Sequence, residues 1–446
     1  MEQQHMFTNR MIRNLLVPVV LEQILNSIMG TADTMMVSNV GSAALSAVSL
    51  VDSINILLIQ AFSALAAGGA IVCAQYIGQK NYEKANMSAR QVLFIITAIS
   101  VAVSAVCLIF QKPLLRLIFG SVEADVMRAS ETYFFFTALS FPFIASYDAA
   151  ASIFRAQENT KGPMIISMIS NVMNIGGNAV LIWVFHMGVA GAAISTLVSR
   201  VFCAVVVLYQ LRKDRQPIVV KDYLKIRPDW SMIGRILGLG IPSGIENSMF
   251  QLGKLAIQST VSTLGTAAIA AQAMTNILEN LNGIAAIGVG VGLMTIVGQC
   301  LGAGRKDEAV YYIKKLCVIA EIVIIVSCLT VYALARPVTI LGGMEKSSAA
   351  MCIHMITWIT IVKPLVWTMA FVPGYGLRAA GDVKFSMITS CCTMWACRFC
   401  LCVFLIRVLG FGPMGVWIGM FADWTVRGII FTWRFHSRRW LEHKVI

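Results

Sequence analysis

The sequence predicts an all-α integral membrane protein: twelve transmembrane helices in two parallel-repeat six-helix lobes around a central cleft. Three observations predict it. Charge is scarce: of 446 residues, 58% are hydrophobic and 13% charged, where a soluble domain carries roughly 25%. That supply cannot coat a water-soluble body of this length. Apolar runs recur along the chain, most of them reaching the ~20 residues that a helix needs to cross a bilayer. The two halves of the chain also repeat one another.

The apolar runs fall at 14–37, 44–74, 91–110, 129–150, 163–185, 189–210, 238–262, 267–299, 316–335, 349–376, 385–406 and 413–433. The first follows Arg10 and Arg13 and reads better as a span than as a removed leader. The second ends at Gly78-Gln79-Lys80, a polar turn before the third. Pro142 lies in the fourth and kinks it. The fifth carries Asn174 and Asn178, and the sixth runs into Arg212, the start of the longest polar stretch, which extends to Arg235. That stretch divides the runs six and six, giving an amino-terminal lobe, 1–225, and a carboxy-terminal lobe, 226–446. In the second set Pro242 marks the seventh run, and Pro364 and Pro373 mark the tenth.

Position explains the formal charge of +13. With both termini cytoplasmic, twenty-four of the 35 Lys and Arg residues fall in inside loops and flanks, six outside and five within spans. Such a bias orients a multi-pass protein in a cell membrane. No nucleic-acid partner is needed to account for it. The 12 cysteines lie mostly inside apolar runs, and the Cys397-x-x-Cys400 pair has no nearby histidine to complete a zinc site. Gly288-Val-Gly-Val-Gly292 follows no strand, and no phosphate-binding G-x-x-x-x-G-K-[ST] loop occurs, so we expect no nucleotide, no other cofactor and no enzyme activity.

The repeat needs no gap over its first stretch. At a shift of 224, Pro18 meets Pro242, Glu22 meets Glu246, Gly41 meets Gly265, Gly68 meets Gly292, Gln75 meets Gln299 and Gly78 meets Gly302. Arg155 and Lys161 answer Arg378 and Lys384 at a shift of 223. Equivalent positions lie an even number of spans apart, so the halves are parallel. Paired halves flanking a cleft are the architecture of alternating access.

Asp33-Thr-Met-Met-Val-Ser-Asn-Val-Gly41, followed by Ala43-Ala44-Leu45-Ser46-Ala47, resembles the first-helix signature of the multidrug and toxic compound extrusion (MATE) transporters. So do Gly78-Gln79-Lys80, its echo Gly302-Ala303-Gly304-Arg305, and Leu377-Arg378-Ala379-Ala380-Gly381-Asp382. Asn174-Ile-Gly-Gly-Asn178 before Gly188-Val-Ala-Gly191 completes the set. The resemblance covers nearly the whole chain. It implies a twelve-helix, two-lobe exporter, driven by H⁺ or Na⁺ as coupling ion and carrying amphipathic organic cations. A monomer in the lipid bilayer is expected.

Ionisable side chains inside spans are costly and mark functional sites by default. Asp33 leads: it sits in the first span with no basic residue one turn away. Asn174 and Asn178 share one face of the fifth span, and Thr196 offers a hydroxyl from the sixth. The resemblance makes these four the amino-lobe cation-coupling site, with Na⁺ as a possible metal; family members often have an acid where Asn178 stands, and losing it disfavours Na⁺. In the other lobe, Trp367 and Phe250 occupy positions where one family branch carries acids. Glu246 and Glu279 are the cavity candidates instead, with Lys254 to neutralise either. Asp423 and Arg427, at i,i+4, read as a local ion pair. Met35, Phe62, Tyr147, Met249, Phe250, Met274 and Trp367 offer a soft lining for apolar cations. Two rivals stay open: a lipid-linked saccharide flippase, which would need a cavity rich in Arg and Lys, and a membrane protein that moves nothing.

Overall fold

The computed structural model describes residues 4–446, and among these the regular structure is all helical. In chain order the helices are α1 (Asn9–Ser38), α2 (Ser42–Gly78), α3 (Tyr82–Ile109), the short α4 (Gln111–Phe119), α5 (Ala124–Ala156), α6 (Lys161–Asn178) and α7 (Val189–Leu211). After a loop with one 3₁₀ turn come α8 (Trp230–Val261), α9 (Thr266–Gly302), α10 (Lys306–Leu341), α11 (Lys346–Ala379), α12 (Val383–Thr393), α13 (Leu401–Arg407) and α14 (Met414–His436). Two π-helical stretches join the series: Ala179–Val184 extends α6, and Met394–Cys400 links α12 to α13.

Among the described residues, ten helices are long and apolar enough to cross a membrane. The expected twelve are reduced by α8 and α14, which have 32 and 23 residues, enough for a crossing by length. Their polar and charged side chains, Arg235, Glu246 and Lys254 in α8 and Asp423, Arg427 and Arg434 in α14, lower their hydropathy. Prolines 18, 142, 242, 337, 364 and 373 all lie inside helices that continue past them.

Two compact units result. One is Leu25–Gly244; the other joins the chain up to Ile24 to Ile245–Val445. These boundaries differ from the division at 225/226 drawn from the polar stretch, because the first part of α1 packs with the second unit and the first part of α8 with the first. Glycines permit both contacts. A Cβ on Gly68 of α2 would lie 2.7 Å from the Gly240 nitrogen of α8. A Cβ on Gly288 of α9 would lie 2.8 Å from the Val20 Cα of α1. Backbones that close leave no room for a side chain, the small-residue logic of helix packing in lipid.

Within Leu25–Gly244, α5 packs against α2, α3 and α7. Within the other unit, its repeat counterpart α11 packs against α9, α10 and α14 in the same pattern. Alanines 149, 150 and 151 of α5 are fully buried, so neighbouring helices approach it closely. The repeat reaches the turns as well: positive φ recurs at Gly41 and Gly265, Lys80 and Gly304, and Gly188 and Gly412, each pair 224 residues apart.

Candidate functional site

Each unit holds a polar centre among apolar helices. In Leu25–Gly244, α1 and α6 bring Asp33 and Asn178 together: the Asn178 side-chain amide donates to an Asp33 carboxylate oxygen. Asn178 is fully buried, and its own carbonyl oxygen is left without a partner. It stands where α6 passes into the π-helical Ala179–Val184, a local widening that often accompanies functional sites. Asn174 lies one turn earlier, where its main-chain and side-chain oxygens accept from Ser195 Oγ at 2.8 and 3.0 Å. Thr196 turns its hydroxyl back to the Ala192 carbonyl at 3.0 Å. Of the four predicted coupling residues, Asp33 and Asn178 therefore bond directly, while Asn174 and Thr196 are both engaged by groups of α7.

The site extends beyond those four. Arg200 on α7 donates to Ser140 Oγ at 2.7 Å and lies within electrostatic reach of Asp33, Asp52, Asp148 and Tyr133. Asp52 on α2 accepts from Tyr133 at 3.1 Å and from Asn55 at 3.3 Å. Asp148 on α5 accepts from Ser63 at 2.6 Å. Three carboxylates thus share one half-buried guanidinium. Asp52, Asp148 and Arg200 were visible in the sequence as ionisable residues in spans; their convergence needed α2, α5 and α7 in place.

The centre of the other unit lies at corresponding positions with different chemistry. Ser140 and Arg200 correspond, at shifts of 223 and 224, to Lys363 and Trp424. The Lys363 ammonium lies 5.7 Å above the Trp424 ring and 5.3 Å above Trp367. It pairs with Glu279 at 2.7 Å and donates to Asn282. Glu246 pairs with Arg378 at 2.6 Å. The expectation that Lys254 pairs with Glu246 or Glu279 is therefore corrected. Lys254 is two turns along α8 from Glu246, whereas α11 supplies nearer partners to both acids. Among the described residues no carboxylate forms an ion pair with Lys254; its ammonium lies 4.9 Å above the Phe250 ring.

Arg398 also sits 4.9 Å from the Phe250 ring, and Arg427 6.0 Å. Asp423 pairs with Arg427 at 2.9 Å, the spacing expected along α14, and also with Arg398 at 2.9 Å across to the π-helical stretch. Among the remaining predicted lining residues, Phe62, Tyr147 and Trp367 are buried. Phe62 stacks edge-on against Phe141, and Trp367 lies against Phe371. Tyr147 donates to the Pro163 carbonyl. Met249, Phe250 and Met274 are partly buried, and Met35 is exposed.

The chain as a whole has relatives among known proteins. The chain is 26% identical over 432 residues to the uncharacterized transporter YisQ of Bacillus subtilis, covering 95% of this chain and 93% of that protein. It is 24% identical to a probable multidrug resistance protein NorM of Thermotoga maritima, covering 97% of this chain and 93% of that one. Among solved structures, an outward-facing multidrug resistance MATE family transporter of the MOP superfamily superposes with a TM-score of 0.90 at 18% identity, over 96% of this chain and 95% of that one. The MatE family model matches twice, at residues 18–180 and 242–404, the second match displaced from the first by the same 224 residues as the internal repeat. With both halves matched, the chain belongs to the MatE family of multi-pass membrane transporters.

Proposed function

We propose that this protein is a secondary-active multidrug exporter that moves amphipathic organic cations out of the cell in exchange for H⁺. Twelve spans with both termini cytoplasmic would form two lobes that alternate in access. Family membership favours the export reading over the lipid-linked saccharide flippase. The names of relatives such as the probable multidrug resistance protein of Thermotoga maritima point to small organic compounds as cargo.

One observation favours the proton over Na⁺: Asp33 faces an amide donor, Asn178, with Arg200 in electrostatic reach. A Na⁺ ion needs several oxygen donors and net negative charge around it. Here Asn178 turns its N–H to Asp33, the side-chain oxygen of Asn174 accepts from Ser195, and a guanidinium within reach already supplies positive charge. A proton needs only one carboxylate that alternates between a dry and a wet environment. Loading Asp33 would favour one access state, and cargo the other.

The test is efflux of a fluorescent organic cation from proteoliposomes with proton and sodium gradients imposed separately. A proton gradient alone should drive it, and Asp33→Asn should abolish that drive. Transport by Asp33→Asn at the native rate, or drive by sodium alone, would overturn the reading.

A further inference from the structure

One cluster inside the carboxy-terminal unit holds four cations and two acids. Lys254, Lys363, Arg398 and Arg427 gather around Phe250, Trp367 and Trp424, and the acids among them are Glu279 and Asp423. Glu279 is also within electrostatic reach of Lys254 and Arg398, so the six groups form one cluster. Glu246 is held instead by Arg378. Glu321 on α10 makes no ion pair with any of the four cations. All six groups lie well inside their helices, away from the ends where long side chains reach water.

Buried charges are ordinarily paired and hydrogen-bonded. Here several donors are not. Arg398 is 2% exposed, yet its Nε has no partner. Asn282 gives its oxygen to Lys363 and leaves its buried amide Nδ2 unused. The buried Trp424 indole N–H is likewise unpaired. Lys254 differs in being exposed, with its ammonium 4.9 Å above the Phe250 ring. An exposed cation beside buried, unused donors is what an anion requires.

We propose that this cluster binds an anionic group, a carboxylate or a phosphate, carried by an amphipathic solute, with Lys254 as the cation it meets first and Arg398 and Asn282 as further donors. The inference rests on the reading of the protein as an exporter and narrows its organic cations to those that also bear such a group. Phe250, on whose ring Lys254 and Arg398 both rest, supplies the apolar surface for the rest of the solute.

The test measures binding to the purified full chain in detergent, using a xanthene dye with a free carboxylate and the same dye as its ethyl ester. Lys254→Gln should weaken the carboxylate dye about tenfold, Lys254→Arg should keep most of the affinity, and the ester should respond to neither. Equal losses for acid and ester, or none for the acid, would overturn the proposal, as would failure of both inorganic phosphate and phosphatidylglycerol to displace the carboxylate dye. Displacement by inorganic phosphate supports a soluble anion; displacement by phosphatidylglycerol alone supports a lipid headgroup. The exporter reading is tested separately through Asp33→Asn and a proton gradient, so either can fail without the other.

Discussion

The side-chain amide of Asn178 donates to the carboxylate of Asp33, joining α6 to α1 through one neutral and one ionisable group. A single substitution should change the ion this pair accepts. Asn178→Asp places a second carboxylate against the first and raises the negative charge around any bound cation. We expect sodium-driven dye efflux to appear in this variant, stimulated roughly tenfold over its choline control, as one added anionic oxygen ligand can supply. Efflux under separate sodium and proton gradients checks it.

Arg200 lies within electrostatic reach of Asp33, Asp52 and Asp148. Arg200→Met removes the positive charge that the three carboxylates share. These side chains are half-buried, so the cost falls below the ~3–5 kcal/mol of breaking a fully buried pair. Melting in detergent should therefore move down. Sodium chloride, compared with choline chloride, should restore part of the loss because Na⁺ can take the vacated role; the native protein should show no such difference.

Lys363 and Glu279 form a pair at 2.7 Å in which the lysine side chain is wholly buried. Lys363→Met strands the carboxylate and should destabilise by about 3–5 kcal/mol, while Lys363→Met with Glu279→Gln should recover most of it, since replacing both buried partners is often near neutral. A double-mutant cycle on thermal melting measures the difference. Additive losses would mean that the two residues are energetically independent.

Gly68 and Gly240 meet backbone to backbone, and a Cβ on Gly68 would lie 2.7 Å from the Gly240 nitrogen. Gly68→Val should push α2 from α8 and cost at least the 1–3 kcal/mol typical of overpacking. Gly238, two residues away on α8, has nothing within 4 Å of its would-be Cβ. Gly238→Ala should be neutral or slightly stabilising, because alanine is the better helix former. Yield and melting temperature of the two variants make the comparison.

Much of this molecule was legible before folding. Hydropathy located the spans, although α8 and α14 carry enough charge to fall below the apolarity of the other ten. Asp33 stood out because a lone carboxylate in a span is costly. The pairing of charges was less legible. Lys254 lies on the same helix as Glu246, and sequence spacing suggested a bond between them; Arg378, 132 residues away, takes that place instead. Nothing in the sequence around Arg378 announces a buried partner.

The sequence by itself determined the membrane class, the repeat at 224 and the family, because these follow from composition and order along one chain, which helix periodicity and hydropathy read directly. Tertiary structure alone decided which charges meet: Arg200 with three acids of other helices, Lys363 with Glu279, and Arg398 and Arg427 with Asp423. It also decided that the first parts of α1 and α8 each pack with the opposite half of the repeat. The reason is geometric. A few ångströms separate an ion pair from two unpaired charges, and that distance is set by how whole helices approach one another, at glycines such as Gly68 and Gly288, rather than by any local pattern.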